Sequence, residues 1–289
     1  MVACPEYRLR LFLSVDLVGS TAFKAKFSEP DPEGSPNPVW VTVIQHFYRE
    51  FPEIFSRKYG LAVDHAEIAG LKDNQPIVWK TIGDEIVFCC RLLSLEHVSL
   101  LLKSFIKTLA EYGDYLDTNH DQLDVKGNGW VADFPSPNVT VAIYKGSTGG
   151  DHAADSPVPN EADELKADMH PRDYDFLGKS IDSGFRSGRL CSSDSFVMPL
   201  ELAYLALHAE KAQILDGVKF IYLGRQMLKG VLNDRPYPIV ALNVERKKAE
   251  RRCVKKKMLC FPMVIGQRKC RFVNFWKHLC MMKASQSQY

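Results

Sequence analysis

The stretch YRLRLFLSVDLVGST, residues 7–21, constrains the fold more than any other. It alternates polar and apolar residues and then becomes continuously apolar, the pattern of a β-strand that runs from a partly exposed position into a buried one. Near its end it carries a single carboxylate, Asp16, followed closely by Gly19, Ser20 and Thr21. Burying an unpaired carboxylate costs several kcal/mol, so a strand of this kind ends where its acid meets solvent, a cation or a ligand.

Downstream, SEPDPEGSPNP is a Pro- and Gly-rich loop, and VWVTVIQHFYREFPEIFSRKYG repeats apolar residues at helical spacing up to Gly60, where the helix is expected to stop. PIVWKTIGDEIVFCC supplies two β-rich arms that turn at Gly83 and Asp84. SLEHVSLLLKSFIKTLAEYGDYL predicts an amphipathic helix capped by Ser94, and NVTVAIYKG a further strand. The polar segment STGGDHAADSPVPNEADELKADMHPRD reads as a long loop. GKSIDSGFRSGRLCSS and PLELAYLALHAEKAQ then read as helices, and KFIYLGRQML and YPIVALNVE as strands. The order β, α, β-hairpin, α, β, α, β, β predicts an α+β sandwich with a mainly antiparallel sheet. No internal repeat and no linker interrupt residues 1–245, so one domain followed by a basic, Cys-containing tail at 246–289 is the expected partition.

A chain of 289 residues can bury a sizeable core. No apolar stretch approaches the roughly 20 residues that cross a bilayer, and MVACPEYRLR lacks the apolar centre of a secretory signal; the expected location is the cytoplasm. The cysteines fit that expectation: Cys253, Cys260, Cys270 and Cys280 lack paired metal-ligand spacing and read as buried or idle thiols. The net charge of +2 conceals a cationic run, ERKKAERRCVKKK, which reads as a solvated tail, and binding to nucleic acid or membrane is not expected.

If the hairpin pairs beside the first strand, Asp16 and Asp84 meet at one edge of the sheet. Two close carboxylates repel unless a divalent cation lies between them, and oxygen ligands favour Mg²⁺ or Mn²⁺. Glycine beside each acid gives the backbone room to approach a phosphate, while Ser20 and Thr21 offer donors. The set suits a metal-bound triphosphate. On spacing alone, the more common outcome is an N-cap at Asp16 and a turn acid at Asp84.

Four motifs, in order, tilt that balance. FLSVDLVGST resembles the metal-binding first strand of class III nucleotidyl cyclases, VWKTIGDEIVFC their Lys-x-x-Gly-Asp hairpin, YDFLGKSIDSGFR their base-, ribose- and phosphate-contacting segment, and YLGRQMLKGVLNDRPYPIVALNV their closing strands. The resemblance spans residues 9–244. It implies a ferredoxin-like βαββαβ core and a head-to-tail homodimer with active sites at the interface, acting on a nucleoside triphosphate. It also implies two Mg²⁺ or Mn²⁺ ions held by Asp16, Asp84 and the carbonyl of Leu17. Arg186 matches the transition-state arginine, Lys80 and Asp175 the base-contacting pair, and Lys229 a triphosphate contact. Gly19, Ser20 and Thr21 belong to the nucleotide-binding set. Asp182 stands where the family has a ribose-orienting Asn, and SGF replaces the small residues before the arginine, so the sugar or base is expected to sit differently.

Lys and Asp at the base positions are what adenine-using members show. The altered IDSGFR helix, the long polar insertion and the basic tail instead resemble the pyrimidine cyclases of bacterial Pycsar antiphage systems, whose cyclic UMP or cyclic CMP is read by a separate effector. UTP is the substrate this resemblance favours, with ATP as the alternative and CTP, or a silent nucleotide-binding homologue, behind it. Retention of both acids and the arginine weighs against silence.

Overall fold

A computed structural model describes residues 5–29, 37–66, 70–143, 160–211, 219–228 and 236–244. Strand β1 (Arg8–Val18) is followed by a short helix α1 (Ser20–Lys26) and the long α2 (Val39–Ala66). The hairpin is β2 (Ile77–Ile82) and β3 (Glu85–Arg91), then come α3 (Leu95–Asn119), β4 (Asp124–Phe134), β5 (Val139–Ala142) and α4 (Glu161–Met169). The chain continues through β6 (Tyr174–Leu177), α5 (Lys179–Ser187), β7 (Ser195–Met198), α6 (Leu200–Lys211), β8 (Phe220–Met227) and β9 (Pro236–Asn243).

Seven strands form one sheet in the order β2-β3-β1-β4-β7-β9-β8, and β5 and β6 form a second, two-stranded sheet. The units β1, α2, β2, β3, α3 and β4 make the βαββαβ core, with β1 at its centre between β3 and β4, both antiparallel to it. Only the β4–β7 contact, through Asn128 and Val197, is parallel. The α+β, mainly antiparallel expectation is therefore correct.

Residues of β1 alternate between two cores. Leu11, Leu13, Val15 and Leu17 are buried on the side that α2 and α3 cover. There α2 buries Val43, Phe47, Phe51, Phe55, Tyr59 and Val63, an every-fourth stripe that follows one side of the helix. Phe51 and Phe55 meet Phe105 of α3 and Phe88 of β3 edge to face or tilted, at centroid separations of 5.1–6.1 Å. On the opposite side of β1, Phe12 packs among Trp79, Trp130, Phe134 and Phe176.

Five elements differ from the sequence reading. The helix expected to stop at Gly60 runs on to Ala66, because nothing lies within 4 Å of a Cβ at Gly60 and no turn is needed there. The stretch expected as loop contains α4, started by a capping box between Asn160 and Asp163. Most consequentially, β4 was not anticipated: DVKGNGWVADF has two glycines and several polar residues, a composition depleted in strands. The glycines are there because α3 and β7 press on that side. A Cβ at Gly127 would lie 2.8 Å from Leu109, and one at Gly129 2.8 Å from Phe196. The short β7 was also missed, and NVTVAIYKG forms β5 of the small sheet rather than a strand of the main one. The tail from 246 on, its cysteines and its boundary lie outside the described residues.

Candidate active site

The sequence folds Asp16 and Asp84 to the same end of the sheet. Glu85 pairs with Asp16 in the β1–β3 register, so Asp84, the residue before it, stands at the strand end. The link is direct: the amide of Leu17 donates to the carbonyl of Asp84 at 3.2 Å. A strand residue's N–H and C=O point to the same neighbour, which leaves the Leu17 carbonyl on the Asp84 side as well. Gly83, at φ 65°, takes the left-handed conformation that this two-residue turn demands, and the Tyr48 hydroxyl donates to its carbonyl. Ser20 donates its hydroxyl to Asp84 Oδ2, so this residue braces the acid. Gly19, at φ 88°, caps α1 with its Cα against Gln122, and Thr21 is exposed beside it.

Two groups that the sequence reading passed over complete this corner. Lys126, directly opposite Asp16 on β4, places Nζ 3.1 Å from Asp16 Oδ2. Glu85 accepts a hydrogen bond from Ser14. Burial raises the Asp16 carboxyl above its ordinary value, Lys126 opposes that, and the charge of Asp84 adds to it. Burial likewise raises Glu85, with Asp16 and Asp84 contributing. Lys24 lies 3.9 Å from Asp84. Lys126 was invisible because its strand was, whereas Glu85 could have been found as the neighbour of Asp84.

Among the described residues no group of three or more His, Cys, Asp or Glu side chains is arranged as a metal cage. The donor set nevertheless fits Mg²⁺ or Mn²⁺. Two like-charged carboxylates, one raised in pKa by burial and further by the other's charge, and a nearby carbonyl offer oxygen alone, and Mg²⁺ characteristically takes one or two carboxylates and completes its shell with water and substrate phosphate.

The second constellation joins β2 to β6. Lys80 Nζ lies 2.7 Å from Asp175 Oδ1, and 3.8 Å from the centroid of the Trp79 ring. Successive strand residues normally point to opposite faces, yet Trp79 Nε1 donates to Tyr174 O while Lys80 reaches Asp175, the next residue of the same strand. A register shift between Val78 and Lys80 makes this possible, since a bulge re-aims side chains. Both base-contacting candidates thus come from one chain.

The third set lies on α5. Ile181, Gly184 and Ser187 are buried, and Asp182 and Arg186, one turn apart, take the outer side, Asp182 exposed and Arg186 half-buried. Arg186 forms no ion pair among the described residues. The SGF departure has a steric cause: Trp130 lies under the helix, and a Cβ at Gly184 would fall 2.1 Å from its ring. Phe185 packs on Trp130 and Trp79, and Asn128 Nδ2 donates to Gly184 O at 3.0 Å. Lys229 lies outside the described residues.

The opposite end of β1 is also charged. Arg8 and Arg10 have no exposed side-chain surface and pair with Glu161, Glu164 and Asp168 of α4. Arg10 also donates to Thr140 and lies over the rings of Phe134 and Phe176. This cluster docks α4 and the small sheet onto the large one.

No protein-family model matches the chain, and no curated protein does. The solved structures do offer a likeness in fold. The adenylyl cyclase CyaB from P. aeruginosa superimposes with a TM-score of 0.54 at 12% identity, over 84% of this chain and 97% of that one. A bacterial light-regulated adenylyl cyclase gives 0.48 at 10% identity over 85% of this chain and 54% of that one. The dimeric guanylyl cyclase domain of the RhoGC fusion protein from the aquatic fungus Blastocladiella emersonii gives 0.48 at 7% identity over 84% and 99%. The chain shares its fold with the CyaB cyclase, the α+β fold that the sequence motifs implied.

Proposed function

We propose that this chain is a nucleotidyl cyclase that converts UTP into 3′,5′-cyclic UMP and pyrophosphate. The observation that carries the reading is the meeting of Asp16 and Asp84 at one strand end of a cyclase-type fold, with oxygen donors and an unrelieved excess of negative charge.

Asp16 and Asp84, with the Leu17 carbonyl, would hold two divalent ions. When bound, these ions supply positive charge that lowers the pKa of the ribose 3′-hydroxyl and neutralises the departing pyrophosphate. Ser20 holds Asp84 in place for that task. Lys80 and Asp175 set a donor beside an acceptor, and would read uracil through O4 and N3–H. Asp182 would accept from a ribose hydroxyl. Arg186 would donate two hydrogen bonds to the phosphoryl oxygens as charge builds on them. Its outward position on α5 and its lack of an ion pair among the described residues suit a guanidinium offered to the site of a second copy. The active unit is then a head-to-tail homodimer, and Lys80 serves the site opposite the one that its own Asp84 completes. By its resemblance to the Pycsar enzymes, the chain would release its product to a separate effector.

ATP is the second reading, and the Lys80–Asp175 pair favours it: an ammonium can donate to adenine N1 while a carboxylate accepts from its amino group. Incubation with ATP, GTP, CTP and UTP separately, each with Mn²⁺, followed by mass spectrometry, decides between them. Cyclic UMP is the expected product, cyclic AMP alone moves the assignment to ATP, and no cyclic product from any of the four refutes the enzyme reading.

A further inference from the structure

Lys126 has no part in the roles above, yet it sits where the chemistry does. It faces Asp16 across the β1–β4 ladder, with its ammonium 3.1 Å from the carboxylate, and only 26% of its side chain is exposed. Its charge also bears on Glu85 and on Cys191. An ion coordinated by Asp16 would compete with this ammonium for the same carboxylate, and the two positive charges would repel strongly in a half-buried corner.

We infer that Lys126 is a built-in counter-cation which keeps divalent ions weakly bound until a triphosphate arrives, and that it then moves from Asp16 to the phosphate oxygens. This rests on the reading of Asp16 as a metal ligand. Three carboxylates, Asp16, Asp84 and Glu85, make the corner strongly anionic, and on electrostatics alone it should take up divalent ions without nucleotide. Lys126 neutralises one of the three at close range, and Lys24, 3.9 Å from Asp84, offsets a second more weakly. A triphosphate gives that ammonium an anionic acceptor richer in oxygens than the carboxylate it leaves, and the vacated carboxylate is then open to the ion that the nucleotide carries. Metal and nucleotide thus bind with positive coupling, which is reciprocal: each tightens the other by the same factor. The lysine's flexible stem suits such a move, since it offers a point charge with three rotatable donors rather than a rigid fork.

The test is Mn²⁺ binding to the full chain, read by electron paramagnetic resonance, first alone and then with inorganic triphosphate. Wild type is expected to bind Mn²⁺ weakly alone and about tenfold or more tightly with triphosphate, beyond the Mn²⁺ that free triphosphate takes up. Lys126→Met should bind Mn²⁺ alone about tenfold more tightly than wild type and lose most of the coupling. Lys126→Arg, which keeps the charge, should behave like wild type in the first measurement. Lys126→Gln serves as a second neutral variant, and unchanged melting curves verify that each folds. If the neutral variants bind Mn²⁺ alone no better than wild type while Asp16→Ala abolishes binding, the proposal is overturned and the metal site survives. If Asp16→Ala alters binding in neither the wild-type nor the Lys126→Met background, the metal site itself is overturned, and the proposal with it.

Discussion

The two ends of strand β1 carry charge on the same face and treat it in opposite ways. At the start, Arg8 and Arg10 are wholly enclosed, and α4 of the same chain answers them with three carboxylates at 2.9 Å or less. Burial alone would raise the Glu161 carboxyl, but the hydrogen bonds from Arg8 and the Glu6 amide together with the charges of Arg8 and Arg91 more than reverse this, and it lies below its ordinary value. At the finish, three carboxylates have only Lys126 close by and Lys24 at 3.9 Å, and Asp16 and Glu85 lie above their ordinary values. Charge that serves the architecture is compensated inside the chain. Charge that awaits a ligand is left partly unpaid, and the difference marks the site without any reference to relatives.

Substitutions at the two ends should therefore fail differently. Asp84→Ala should lower cyclic nucleotide formation by about a thousandfold or more while far-ultraviolet circular dichroism and melting stay near wild type. A comparable loss of stability there would erase the contrast. Arg10→Met should do the reverse, since it strands the Glu164 carboxylate in the interior and leaves Asp168 with only Arg8 close by: urea unfolding should show about 3–5 kcal/mol lost. A third measurement asks whether the acid end is completed by another chain. Asp16→Ala and Arg186→Ala should each be nearly inactive, yet mixed and reassociated they should regain about a quarter of wild-type activity, because half of the dimers would hold one intact site. No regain would place the arginine in the acids' own protomer, or outside the reaction.

The smallest effect concerns pH. Asp16 has a folded-state pKa above its unfolded value, so the native state binds the extra proton between the two. Stability from this group is thus present below the ordinary carboxylate pKa and is lost as pH rises through the raised one. Asp16→Asn should consequently be more stable than wild type, with an advantage that grows as pH rises through and above the ordinary carboxylate range. Glu161 slopes the other way: the stability it contributes is present above its unfolded pKa and is lost as pH falls through the lowered folded one. An Asp16→Asn advantage that shrinks with rising pH would undo the distinction between the ends.

Much of this was legible in the chain itself. Asp16, the Gly83–Asp84 turn, α3 with its Ser94 cap and the order of the hairpin follow from local rules, because a two-residue turn and a buried strand leave few alternatives. What escaped depends on distant partners. The composition of β4 is set by Leu109 and Phe196 behind it, and by the duties of Lys126, Asn128 and Trp130 in front, so strand propensity is overridden at every other residue. Gly184 looked like a departure from a pattern until Trp130 was seen beneath it. Lys80 and Asp175 were named only through the resemblance; their contact joins positions 95 apart and needs a bulge that no periodicity reveals.

Because Arg8, Arg10, Phe12, Ser14 and Asp16 share one face, the pairing of β1 with β4 acts as a single decision for architecture and chemistry. A slip of one residue would turn all five toward α2 and α3 together, leaving two guanidinium groups in an oily layer and the acid out of reach of Asp84. A mispaired copy therefore cannot keep the acid corner while losing the buried ion pairs; the same error that scatters the one also makes the fold come apart.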